Sequence, residues 1–433
     1  MTNHNVLGHC ARNMMLAAAL FGAAASARAQ DSTPAPVASP AEQRIAAVRK
    51  VIAAHPEQAQ PYNDLALALS RRARETGDPA FYDRAADAIT SALAIDPRNL
   101  DSKKMQVWIL LGKHEFARAY DAAVALNKQV PDDVLVYGFV ADASVELGKY
   151  KEAEDAVQWM LDMRPANLSG LTRAAYLREL FGDVDGAIEL FNASYSRMLP
   201  SEVEDRAWML SQIGHLYLSI GQEREAEAAL KMALQLYPRY HYALGYFAQV
   251  KLAQSKPEDA VALLRDLVAE LPHAENVYAL AEALELAGHG AEAKRTFADF
   301  EQKALAESAT HDNANRELIA YYVEHAGKPA EALRIAEQEY AWRQDLFTRE
   351  TYAWALAANH RYADAQKQMD EALAVGIRHA DIFYRAGVIA ARQHDRDGAV
   401  KLLERSLQQA PRSSVAAAAR KQLDRLKGAD SAP

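Results

Sequence analysis

The chain has 433 residues, a formal net charge of −9, 50% hydrophobic residues, 8% aromatic residues and one cysteine. Half apolar and a quarter charged, it has the material for a packed core, which excludes a disordered chain. Its acidic balance excludes a sequence-independent grip on nucleic-acid phosphates, which needs a basic surface.

Residues 1–29 read as a secretory leader. A start with Arg12 and no acids precedes the apolar run Met14–Ala25, and Ala27-Arg28-Ala29 follows as an A-x-A cleavage site. That run is too short to span a bilayer, and no later stretch approaches ~18 consecutive apolar residues, so an integral membrane protein is not expected. Cleavage after Ala29 yields an exported, periplasmic product and removes Cys10, leaving neither disulfide nor thiol chemistry. Residues 30–40, rich in Pro and Ser, form a linker. Residues 41–58 form an N-terminal cap, with a helix at Ala41–Ala54.

Beyond the cap the sequence repeats. Ala85, Ala119, Ala153, Ala187, Ala226, Ala260, Ala293, Ala332, Ala365 and Ala399 stand 33, 34 or 39 residues apart. Twelve residues before nearly all of them comes another Gly or Ala, such as Ala141, Gly214 or Gly387; four residues after comes an apolar side chain, such as Val157, Leu230 or Leu403. Small residues let two helices approach closely, and the apolar residue one turn later fills the space between them. Gly148, Gly182, Gly221, Gly288 and Gly327 each fall five before a marker alanine, where a first helix must end in a left-handed cap. Pro97, Pro131, Pro165, Pro238, Pro272 and Pro411 stand twelve after theirs and stop the second helix. Strand-like alternation is absent. The prediction is an all-α stack of helix pairs.

A 34-residue helix–turn–helix of this kind resembles the tetratricopeptide repeat. The third repeat, Val134–Asn167, carries the resemblance best, with Tyr137, Val140, Ala141, Gly148, Tyr150, Ala153, Val157 and Pro165 at the signature places. The resemblance implies a right-handed superhelical solenoid of about ten repeats over residues 59–413. The first repeat is longer, its helices extended around Gly77-Asp78-Pro79, and the fourth and seventh are five residues longer. Residues 414–433 would form a C-terminal cap, with a helix at Ser414–Leu426, and a tail.

Repeats and caps leave no room for a catalytic domain, and motifs point the same way. His114-Glu115-Phe116-Ala117-Arg118 begins like a zinc-protease helix but has Arg where the second His must stand. The 13 histidines are scattered, with no i, i+4 pair on one helix. Gly182-Asp183-Val184-Asp185-Gly186 lacks the Lys and Ser/Thr of a phosphate loop and reads as a turn. No metal, cofactor or catalytic residue is expected.

The resemblance further implies a protein-binding scaffold whose first helices line a concave groove. Their second, fifth, ninth, twelfth and thirteenth positions hold Trp108, Tyr176, Trp208, His215, Tyr242, Tyr278, Tyr321, Phe347, Trp354 and Tyr384. The same positions hold Asp142, Glu179, Glu275, Glu282, Glu285, Glu317, Glu324, Glu350 and Asp381, against Arg71, Lys104 and Arg392. Rigid rings dominate hot spots and carboxylates select Lys- or Arg-bearing partners, so a basic protein or peptide partner is favoured. The Lys/Asn clamp by which some members hold a peptide carboxyl terminus is missing, since Asn63 and Leu67 stand at its places. The alternative for the face is that its aromatics pack on one another.

Three functions stay open. The first is an exported, non-enzymatic scaffold serving assembly, secretion or the envelope. The second is a glycan-binding or exopolysaccharide-export accessory protein. The third is an enzyme with an unrecognised groove site, which would show a strongly perturbed carboxyl there. If the groove binds, Tyr321→Ala with Trp354→Ala should weaken capture and leave the melting temperature nearly unchanged.

Overall fold

The computed structural model describes residues 39–413 and 415–428, and the leader and most of the linker lie outside them. The described residues are helices joined by short turns, with no strand among them. They form two compact units, residues 39–115 and 116–428, and the division falls between the two helices of the second repeat.

The first unit contains α1 (Pro40–Ala54), α2 (Ala59–Thr76), α3 (Ala80–Ile95) and α4 (Leu100–Gly112). Ser39 starts α1 with a capping box: its hydroxyl accepts from Glu42 N, and the Glu42 carboxylate accepts from Ser39 N. The lengthened first repeat is α2 and α3, joined through Gly77 at φ 69°. Ala66, Leu69, Ala73, Tyr82, Ala85 and Ile89 form the core. A methyl group built on Gly112 would stand 2.6 Å from the Tyr82 ring, so α4 crosses α3 at a bare α-carbon.

The second unit runs through α5 (Phe116–Asn127), α6 (Val134–Glu146), α7 (Tyr150–Met163), α8 (Leu168–Leu180), α9 (Val184–Tyr195) and α10 (Val203–Ser219). It continues with α11 (Glu223–Leu236), α12 (His241–Ala253), α13 (Pro257–Glu270), α14 (Ala274–Leu286), α15 (Gly290–Glu307) and α16 (Asn315–Glu324). It ends with α17 (Pro329–Trp342), α18 (Leu346–Ala358), α19 (Tyr362–Leu373), α20 (Ala380–Arg392), α21 (Arg396–Gln409) and α22 (Ala416–Gly428). The extra residues of the fourth repeat lengthen α10 and the turn before it, and those of the seventh lengthen α15 and the turn after it.

The repeat register is the packing register. Ala293 is 3% exposed and the other nine marker alanines 0%. A methyl group on Gly214 would stand 2.6 Å from Leu230, and one on Gly387 2.8 Å from Leu403. At these two crossings the apolar residue four after the marker presses on the small residue twelve before it. All five turn glycines adopt φ between 62° and 84°, and His114, Ser255, His360 and His394 take the same left-handed conformation at the equivalent places.

The second unit also closes on itself. The turn of the third repeat meets the chain entering α18, where Gln344 N donates to Glu146 O at 3.0 Å and Leu346 N to the Tyr150 hydroxyl at 2.7 Å. A methyl group on Gly148 would stand 2.6 Å from Gln344 O. One repeat further on, Gly182 lies against Gly376 in the loop before α20, with 2.5 Å left for a methyl group. One repeat beyond that, Gln409 donates to Ser219 O at 2.5 Å and Arg412 pairs with Glu223 at 2.6 Å. These hydrogen-bonded partners are 189 to 198 residues apart, so three consecutive repeats meet segments five to six repeats later. An apolar cluster joins both sides, with Val145, Val157 and Leu180 from one and Leu346, Ile377 and Ile382 from the other.

Candidate functional site

Each aromatic and acidic inner-face position anticipated from the sequence is buried or half-buried, whereas Arg71 and Arg392 are exposed. Trp108 lies on α4 in the first unit, half-buried against its core. In the second unit Tyr176 packs on the cluster that joins the two turns. Trp208 meets the edge of Phe191 at 6.1 Å, and Tyr242 is enclosed by Tyr240 and His241. Tyr321 sits among Phe297, Phe300 and His325. Tyr321 thus packs on neighbouring rings and Trp354 is half-buried, so truncating both is expected to lower the melting temperature, where the sequence alone leads to an expectation of little change.

Four first helices converge on Arg385. Its guanidinium donates to Glu350 Oε1 at 2.7 Å and to Glu324 Oε1 at 2.8 Å, and it lies 5.4 Å from the centre of the Trp354 ring. Trp354 Nε1 donates to the same Glu324 oxygen at 2.9 Å. Arg385 is 4% exposed, Glu350 5%, Asp381 5% and Glu282 1%. Burial pushes the Glu282 carboxyl well above its usual range; Glu324 and Asp381 add to this, while Tyr278 and Arg385 oppose it. Asp381 is raised for the same first reason, and Tyr384 is raised by burial and by Glu324. The guanidinium is stabilised as a cation because Glu350 and Glu324 outweigh its desolvation. Tyr278, Glu282, Glu324, Glu350, Trp354, Asp381 and Tyr384, scattered over four repeats, thus surround one arginine.

Arg385 is absent from the anticipated set because it occupies the sixth position of its helix. Arg173 holds the same place on α8 and grips Asp142 with two hydrogen bonds, at 2.8 and 2.5 Å. The signal was an arginine at position six, one repeat after an inner-face acid. These two residues pair with three of the nine anticipated acids, Asp142, Glu324 and Glu350.

Glu317 belongs to a second acidic group with Glu275, Glu307 and Asp312, where α14, α15 and α16 meet. Burial, then Asp312 and Glu317, raise the Glu307 carboxyl to about 7. Glu275 is raised by burial, Glu307 and Glu317, and Glu317 chiefly by burial. Beside them Glu339 goes the other way: burial would raise it, but Arg343 and a hydrogen bond from Asn315 bring it below the ordinary value.

Where the two turns meet, Glu179, His215, Gln249, Phe347, His379 and Gln409 line a cavity of about 50 Å³. His215 Nε2 is 2.9 Å from Glu179 Oε1, and the ring stacks on Tyr246 at 4.8 Å. Glu179 and His215 therefore share a site with Phe347, from four repeats further along. Among the described residues no group of three or more His, Cys, Asp or Glu is placed to hold a metal ion, and no helix is long and apolar enough to cross a membrane.

The architecture is that of a helical-repeat solenoid. No family profile matches the chain. A TPR repeat-containing protein of Methanocaldococcus jannaschii is 31% identical over 112 residues, 26% of this chain. The match spans 20% of that relative's length. Similar solved structures include PilW, described as a type IV pilus biogenesis factor, with a TM-score of 0.40, 15% identity and coverage of 48% of this chain and 92% of that one. A human IFIT1 dimer with PPP-AAAA gives 0.48, 12% identity and coverage of 85% and 94%. A tetratricopeptide repeat protein from Parabacteroides merdae gives 0.36, 16% identity and coverage of 60% and 98%. With ten helix pairs in register and each marker alanine buried, the chain has a helical-repeat fold of tetratricopeptide type, and its sequence is similar to a TPR repeat-containing protein over those 112 residues.

Proposed function

We propose that this chain is an exported, non-enzymatic scaffold that holds a protein partner on its inner face. The observation that carries the reading is the Arg385 site, where three first helices hold a guanidinium against a tryptophan ring and two carboxylates. Glu282 and Asp381 add two further carboxyls with one oxygen each left unpaired. Such a site suits a basic side chain, because ring and carboxylates reinforce one another where water is excluded. The leader-like residues 1–29 support export, with the periplasm as the compartment.

The raised carboxyls also match what an unrecognised enzyme would show. Burial explains them without catalysis, and Glu282 is 1% exposed, shut off from solvent. A photo-crosslinking amino acid at Tyr384, used in the native cell, tests the scaffold reading. Discrete protein adducts are expected; adducts to glycan alone, or none, would overturn it.

A further inference from the structure

The contacts between the two turns of the second unit differ in kind from those within it. A helical-repeat array is held by neighbours, so losing a remote contact leaves each helix pair its own core. Across the seam stand the shared apolar cluster and a few polar contacts: one backbone hydrogen bond from Gln344 to Glu146, the Tyr150 hydroxyl, Gln409 on Ser219, and the Arg412–Glu223 pair, whose arginine is 61% exposed. The approach itself depends on bare α-carbons at Gly148 and Gly182. The seam covers part of the inner face. His215 and Gln249, 8% and 5% exposed, line the cavity that the chain before α20 and Gln409 close from the other side.

We propose that this seam is a latch. The second unit passes between a closed winding, in which the inner face is sealed, and an open winding reached without unfolding any repeat. A partner enters only the open form. The use of the opening rests on the scaffold reading, but the opening itself does not: it parts the apolar cluster that the two sides share and leaves each helix pair packed around its own marker alanine.

The test uses the full chain carrying Cys10→Ser, with Gln249→Cys as the sole thiol and a maleimide as probe. Adding Glu223→Cys and Arg412→Cys, then oxidising them, ties the seam shut. Labelling at position 249 should slow about tenfold when the seam is tied and recover on reduction, since it then requires a local opening that the tie forbids. Gly182→Val should accelerate labelling by a similar factor with helical content unchanged. If that variant fails to fold, Tyr150→Phe with Arg412→Ala removes two seam contacts and should still accelerate labelling. Equal rates in tied and untied chains, or no acceleration in any folded seam variant, would overturn the latch. Failure of the scaffold reading looks different: tied and untied rates differ, but crosslinking from Tyr384 yields no protein adduct.

Discussion

A methyl group on Gly182 would stand 2.5 Å from the carbonyl oxygen of Gly376, a residue five repeats further along. Gly182 thus does two jobs. At φ 83° it ends α8 in the left-handed conformation, and without a side chain it lets the later turn lie against it. Gly288 has the first job alone, at φ 84° with nothing within 4 Å of the position of a methyl group.

The two glycines form an internal control. Gly288→Ala should cost about 1–2 kcal/mol, the strain of a left-handed alanine. Gly182→Ala should cost about 1–3 kcal/mol more, because the seam must also give way. Chemical denaturation of both variants measures the difference, and equal costs would show that Gly376 yields freely.

His394 occupies the same turn position in the last repeat at φ 65°. His394→Gly should remove that strain and stabilise the second unit by about 0.5–1 kcal/mol, after the extra entropy of an unfolded glycine is subtracted. A lower denaturation midpoint would mean that the imidazole makes a contact worth more than the strain.

Removing the guanidinium from its site strands two buried carboxylates. Arg385→Ala should destabilise by about 3–5 kcal/mol at neutral pH, since Glu324 and Glu350 lose their partner. Part of the loss should return on acidification, because the stranded carboxylates then bind protons more tightly folded than unfolded. A loss that does not vary with pH would assign the effect to packing on Trp354.

Glu307 sets a pH dependence of its own. Its carboxyl is raised to about 7 when folded, against an ordinary value of 4.5. Between those values the folded chain binds a proton that the unfolded chain releases, so stability is greatest below the lower value and falls as pH rises through the higher one. Glu307→Gln should flatten the melting temperature between about pH 5 and pH 8 and gain about 1–3 kcal/mol at the upper end. An unchanged profile would place the titration elsewhere.

Much of the fold is legible in the sequence because its determinants are local. Ala187 and Gly214 had to be small because a neighbouring helix passes over them. Gly221 and Gly327 had to be flexible because a helix ends there. The inner-face residues were legible as positions only. Glu282, Glu324, Glu350 and Trp354 come from three repeats, and the arginine that unites them, Arg385, stands one place beyond the positions the resemblance singles out. Arg173 went unread for the same reason, since its pairing with Asp142 crosses from one repeat to the next.

From residue order alone the repeat length, the helix pairs, their caps and their crossing points could be derived, since each depends on side chains within about one repeat of one another. Tertiary structure decided how the helix pairs wind. The rotation from one pair to the next is small and set by many contacts at once, so no motif records it. Accumulated along the array, it brings Gly182 onto Gly376, covers part of the inner face, and turns a row of aromatic and acidic positions into an enclosed site around Arg385.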